Sequence, residues 1–170
     1  MRKSKPLLFV LALSTSSLAW SAEVIEGSYD NGVTLTMTID PFDAKSHKIK
    51  MCGDYVCLID GKPFYGSDGT VPTHVLSRLV LAKKGNQIAL DVSSMYDPMV
   101  NNETMKIHMS VQPYGADTYK VRGHFSDGAG AYLCQWLVVG EGSIRTHIGN
   151  AEELAELMSE VDQRYAGGGS

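Results

Sequence analysis

TMKIHMSVQPYGADTYKVRGHFSDGAGAYLCQWLVV, residues 104–139, decides the fold. In its first third Met105, Ile107, Met109 and Val111 alternate with Lys106, His108, Ser110 and Gln112, the period of two that marks a half-buried strand. The second third repeats the pattern: Tyr119, Val121, Gly123 and Phe125 share one parity, and Thr118, Lys120, Arg122 and His124 the other. Tyr114-Gly115-Ala116-Asp117 has the composition of the turn between them. The last third, Tyr132 to Val139, is almost wholly apolar and stops at Gly140. The stretch therefore reads as a meander with one face in a core. Placing both apolar parities on that face sets Val111 opposite Val121, Ile107 opposite Phe125 and His108 opposite His124.

Working outward, Val24–Tyr29 reads as a first strand, and Val33–Ile39 as an amphipathic one with Val33, Leu35, Met37 and Ile39 on a single face. Lys48–Cys52 and Val56–Asp60 form a hairpin around Cys52-Gly-Asp-Tyr-Val-Cys57. Residues 61–72, with three glycines and two prolines, form a long loop. Pro72 and Thr73 predict a short helical turn to about Ser77, followed by a strand over Arg78–Ala82 and another over Gln87–Ser93. Ser94–Glu103 is a second long loop, and Ser143–Ile148 a last strand. Asn150 and Glu153 then have capping-box spacing, and Leu154, Leu157, Met158, Val161 and Tyr165 form one helical stripe that packs on the sheet. Eight or nine antiparallel strands followed by one C-terminal α-helix predict an all-β, up-and-down antiparallel barrel.

The ends carry other signals. Arg2, Lys3 and Lys5 precede an apolar run, Leu7–Leu13, and then small residues, the pattern of a cleaved secretory signal peptide over residues 1–22, with cleavage after Ala19 or Ala22. The expected organisation is a barrel domain over 23–149, a helix over 150–165 and a flexible tail over 166–170. Removing residues 1–22 takes three of the 15 Lys and Arg and none of the 19 Asp and Glu, so the net charge moves from −4 to −7. That balance argues against nucleic acid, anionic lipid surfaces and polyanionic glycans as partners and favours a basic one. No further run is long enough for membrane insertion. The expected location is the periplasm or exterior of a Gram-negative bacterium, where a Cys52–Cys57 disulfide fixes the hairpin turn. Cys134, beside Trp136, reads as a buried small hydrophobe.

Gly27-Ser28-Tyr29 resembles the Gly-x-Trp signature of lipocalin-like barrels, with Tyr in place of Trp, and Arg145 stands where that family packs an arginine on the aromatic. Cys52 with Cys57, Tyr96-Asp97-Pro98, Lys120-Val121-Arg122-Gly123 and Gln135 with Trp136 occur in the order seen in a bacterial family of exported lipocalin-like proteins of unknown function. The likeness spans about Gly27 to Val138, with Leu58 where that pattern favours Gly. It implies a barrel and the cell envelope, but no reaction.

Candidate chemistry is sparse. His108 and His124 begin a zinc or copper site but lack a third ligand, their neighbours being Lys106, Ser110, Arg122 and Ser126, so they read as surface histidines with no metal. Ser126-Asp127-Gly128-Ala129-Gly130 leads into a strand, not a helix, and so reads as a turn with an exposed tip, neither a nucleophile elbow nor a phosphate cradle. Met37, Met51, Met105 and Met109 fall on apolar parities and suit an adaptable cavity. The expectation is a non-enzymatic binding protein without cofactor, taking a small apolar ligand in the barrel or a protein partner at its loops. The residues expected to make contact are Met105, Met109, Phe125, Ser126, Asp127, Gly128, Tyr132 and Trp136. The alternative is a periplasmic inhibitor or immunity protein that blocks a toxic envelope-targeting enzyme.

Overall fold

The computed structural model describes residues 21–156, residue 31 excepted. Strands β1 (Glu23–Tyr29), β2 (Val33–Pro41), β5 (His74–Lys83) and β6 (Asn86–Leu90) form one antiparallel sheet in the order β1-β2-β5-β6. β7 (Met109–Gly115), β8 (Thr118–Phe125), β9 (Tyr132–Val139) and β10 (Gly142–Asn150) form a second, in the order β10-β9-β8-β7. Between β2 and β5, β3 (Ile49–Cys52) and β4 (Tyr55–Ile59) make a separate hairpin closed by the Cys52–Cys57 disulfide.

Alternation explains the layers. On β2 the residues Val33, Leu35, Met37 and Ile39 are buried, and on β8 Tyr119, Val121, Gly123 and Phe125 are, as the sequence pattern requires. Both sheets turn these faces to one core, in which Ile25, Leu35, Leu81, Val121, Phe125 and Trp136 are wholly inaccessible. β9 reads as continuously apolar because its second face is also half-covered: Leu133, Gln135 and Leu137 are intermediate in exposure.

The all-β, antiparallel character is as expected, but the ladders do not close into a barrel. β7 follows β6 in sequence without pairing with it, and β10 lies alongside β6 instead. Side chains bridge that seam. Ser143 Oγ donates to the Ala89 carbonyl at 2.6 Å, Asn86 Nδ2 to Glu141 Oε1 at 3.3 Å, and Arg145 Nη1 to the Ser93 carbonyl at 2.6 Å while Nη2 pairs with Asp91 at 3.3 Å. Arg145 is thus committed to the β6 end, whereas Tyr29 sits on β1 and donates its hydroxyl to the Met109 carbonyl at 3.4 Å.

The opposite seam corrects the reading of residues 104–108. They are not strand: Met105–His108 is one helical turn, α1. Asn101 starts it, its side chain accepting from the Glu103 and Thr104 amides and its carbonyl from the Met105 amide at 2.9 Å. Met105 becomes a plug against β1, so close that a Cβ on Gly27 would stand 2.9 Å from its Cγ. Ile107 does not face Phe125; it is 81% exposed. From Met109 onward the expected register holds, with Val111 opposite Val121.

Residues 74–77 are also corrected, from helical turn to strand. β2 runs on to Pro41 and offers ladder partners to His74, Val75 and Leu76, so pairing overrides the local helix-start signal. Met51 faces solvent at 52% exposure because the hairpin packs on neither sheet with that side. Helix geometry begins at 151, with Asn150 Oδ1 accepting from the Glu152 amide at 2.9 Å, and Leu154 lies over Gly149. Leu157, Met158, Val161, Tyr165, the tail and residues 1–20 lie outside the described residues. No helix among the described residues is long and apolar enough to cross a membrane.

Candidate functional site

The two long loops and the 126–131 turn meet at one end of the core. Backbone bonds knit them together. The Tyr65 amide donates to the Ser94 carbonyl at 2.9 Å, the Tyr96 amide to the Tyr65 carbonyl at 2.9 Å, and the Ser126 amide to the Pro98 carbonyl at 3.1 Å. Buried Met95 and Val100 anchor the second loop in the core. Gly66 is required where the loops touch: its φ is +105°, and a Cβ there would fall 1.8 Å from the Tyr96 carbonyl oxygen. Ser126, Asp97 and Met99 also hold positive φ, at 61°, 37° and 52°. Strain of this kind persists only where surrounding contacts impose it.

The Tyr96-Asp97-Pro98 motif is the clasp. Asp97 Oδ1 accepts from the Thr73 amide at 3.0 Å, the Thr73 hydroxyl at 2.9 Å and the His74 amide at 2.8 Å, tying the second loop to the start of β5. The Tyr96 carbonyl accepts from the buried Tyr132 hydroxyl at 3.3 Å, and burial raises the pKa of that phenol well above its ordinary value.

A cleft of about 480 Å³ remains open over this floor, walled by Gly66–Asp68, Asp97–Val100 and Ser126–Gly130, with Glu23 and Ile39 on its flank. Four carboxylates border it, those of Glu23, Asp68, Asp97 and Asp127, against His74 as the one basic side chain in the lining. Asp97 is engaged in the clasp, whereas the Asp127 carboxylate is exposed and has no partner among the described residues, its carbonyl alone accepting from the Gly130 amide. The Ser126 hydroxyl is buried and donates to the Gly66 carbonyl at 3.2 Å, so it serves the loop junction.

The expected contact residues therefore divide. Ser126, Asp127 and Gly128 line the cleft. Met105, Met109, Phe125, Tyr132 and Trp136 are in the core, each at most 2% exposed. A void able to hold even water would give its lining accessible surface, and these side chains have almost none, so they fill the interior. Phe125 stacks on Tyr132 at 5.2 Å between centroids and meets the edge of Trp136 at 6.4 Å. Ser67, Asp68 and Met99 are cleft residues that the sequence reading placed only in loops. Comparison with protein-family models, curated proteins and solved structures finds no match for this chain.

The outer face of β7–β10 holds the histidine pair. His108 Nδ1 lies 2.7 Å from the His124 carbonyl, which only accepts, so His108 carries its proton on Nδ1. The two rings are near-parallel, 6.0 Å apart, although His108 belongs to α1. No group of three or more His, Cys, Asp or Glu is placed to hold a metal among the described residues.

Cys134 lies on β9 at 2% exposure, and burial pushes its thiol up to about 12. Iodoacetamide at pH 8 is expected to leave it unmodified in the folded protein and to alkylate it within minutes in urea; mass spectrometry reads both. Because the folded thiol holds its proton more tightly than the unfolded one, its stabilising contribution is complete below about pH 9 and is lost as pH rises toward 12. Stability should therefore fall on the alkaline side, less so in Cys134→Val.

Proposed function

We propose that this is an exported, non-enzymatic binding protein of lipocalin-like build that recognises a protein partner through the cleft where its long loops meet at one end of the core. The observation carrying this reading is the combination of a filled interior with an open, acidic cleft on pinned loops. A packed core leaves no room for an apolar ligand between the sheets. Pinned loops lose little conformational freedom on binding, which favours affinity for a rigid partner. The excess of carboxylates matches a basic projection, a Lys- or Arg-bearing loop.

The lipocalin-like assignment rests on eight strands around one core, with the seams bridged by Arg145 and Ser143 on one side and by α1 on the other. Likeness to the bacterial exported family is supported by the positions of its motifs: the Cys hairpin, the Tyr96-Asp97-Pro98 clasp and the Trp136 core. Export is supported by the leader pattern and by the Cys52–Cys57 disulfide. An inhibitor or immunity role is the same reading with a toxic envelope enzyme as partner. The rigidity of the cleft favours it, since a plug must keep its shape.

A photo-cross-linking residue in place of Ala129, on the exposed cleft wall, tests the proposal in the native cell envelope. A discrete protein adduct is expected there, and none from the same residue at exposed Arg78 on β5, outside the cleft lining. Free chain alone at both positions would refute it.

A further inference from the structure

A second groove of about 480 Å³ lies on the outer face of β7–β10, between α1 and the start of the C-terminal helix. Its chemistry is the opposite of the acidic cleft. Lys106, His108, Arg122, His124 and His147 line it, and no Asp or Glu does among the described residues, in a chain whose acidic residues outnumber its Lys and Arg. The rest of the wall is largely apolar, with Leu133, Leu154 and the 81%-exposed Ile107.

Arg122 is oriented and Lys106 is unspent among the described residues, whereas His108 and His147 are engaged through Nδ1. Arg122 Nε donates to Gln135 Oε1 at 2.8 Å, and Gln135 is held in turn by the Thr146 hydroxyl at 2.9 Å. That fixes the guanidinium plane while its terminal nitrogens keep no partner among the described residues, the arrangement that receives a carboxylate through two parallel bonds. Lys106 and the His124 ring nitrogens likewise have none. Burying an apolar wall beside uncompensated cations is unfavourable unless the occupant brings both an anion and hydrocarbon.

We infer that this groove binds a single-chain anionic amphiphile, a fatty-acid-like carboxylate, with the head at Arg122 and Lys106 and the acyl chain against Ile107, Leu133 and Leu154. The volume is within the ~300–1,000 Å³ of small-molecule sites. The site is separate from the acidic cleft and does not depend on a protein partner.

Calorimetric titration of the full chain with dodecanoate below its micellar concentration tests this. Saturable one-to-one binding is expected. Dodecanol and dodecyltrimethylammonium should bind at least about ten-fold more weakly, because neither makes the charge-assisted bonds. Arg122→Gln and Ile107→Asp, both at exposed positions, should each weaken dodecanoate to a similar extent, and Arg78→Gln on the other sheet should not. The inference is overturned by absence of binding. It is equally overturned if dodecanol binds as well as dodecanoate, or if Arg122→Gln and Ile107→Asp bind like wild type. None of these outcomes bears on cross-linking at position 129.

Discussion

Gly66→Ala is expected to lower stability by about 3 kcal/mol or more, among the largest effects of any single methyl addition in this chain. Two penalties combine. The backbone sits at φ +105°, which an L side chain resists, and the added Cβ would lie 1.8 Å from the Tyr96 carbonyl oxygen and 2.6 Å from its carbon. Both contacts are with backbone, so no side-chain rotation relieves them. Relief requires moving one loop off the other, which breaks the Tyr65–Ser94 and Tyr96–Tyr65 backbone bonds that build the cleft floor. Urea denaturation reads the loss as a lowered midpoint at unchanged slope. Gly53→Ala is the comparison: it too has positive φ, but nothing lies within 4 Å of its Cβ position, so it should lose only the strain. Equal losses in the two variants would show that the loops are not locked at Gly66.

Trp136→Ala is expected to cost about 3–5 kcal/mol, a large part of the ~5–15 kcal/mol by which a domain of this size is stable. Trp136 is wholly buried between the sheets, meets Phe125 edge-on, and donates from Nε1 to the Asp91 carbonyl at 2.8 Å. Truncation opens a cavity and leaves that buried acceptor without its donor. Trp136→Phe keeps most of the volume and loses the bond, so it should fall between wild type and Trp136→Ala. If thermal melts gave all three the same midpoint, the filled interior would be contradicted, because an empty barrel has no packing to lose at that position.

What the sequence disclosed follows the range of the forces involved. Alternation in β2 and β8, the end of β9 at Gly140, the β7–β8 register and the hairpin disulfide are set by neighbours along or across a single turn, and each was legible. Residues 104–108 and 74–77 misled because a local capping side chain in the first, and distant partners in both, override the local pattern. Met105 turns helical under the influence of Asn101 to close a seam against Gly27, and His74–Leu76 extend because β2 supplies a ladder beyond Ile39. The methionines were read as a flexible cavity lining; Met37, Met105 and Met109 instead fill the core, and Met51 lies on the exposed face of the hairpin. Ser126, Asp127 and Gly128 were named from a glycine-rich turn, and the turn does reach the cleft. Its other wall was not legible, since Ser67, Asp68 and Met99 come to it through loop-to-loop backbone bonds that leave no periodic trace.

Charge reversal of the cleft tests the central claim most directly. Asp68 and Asp127 are exposed, so Asp68→Lys/Asp127→Lys should fold with an unchanged melting curve. Opposing a basic partner with two new cations costs several kcal/mol, roughly a hundred-fold or more in affinity. The yield of the position-129 cross-link, measured in the native envelope with and without the double substitution, is predicted to fall to background in the variant. An adduct formed in equal yield by both proteins would contradict the account.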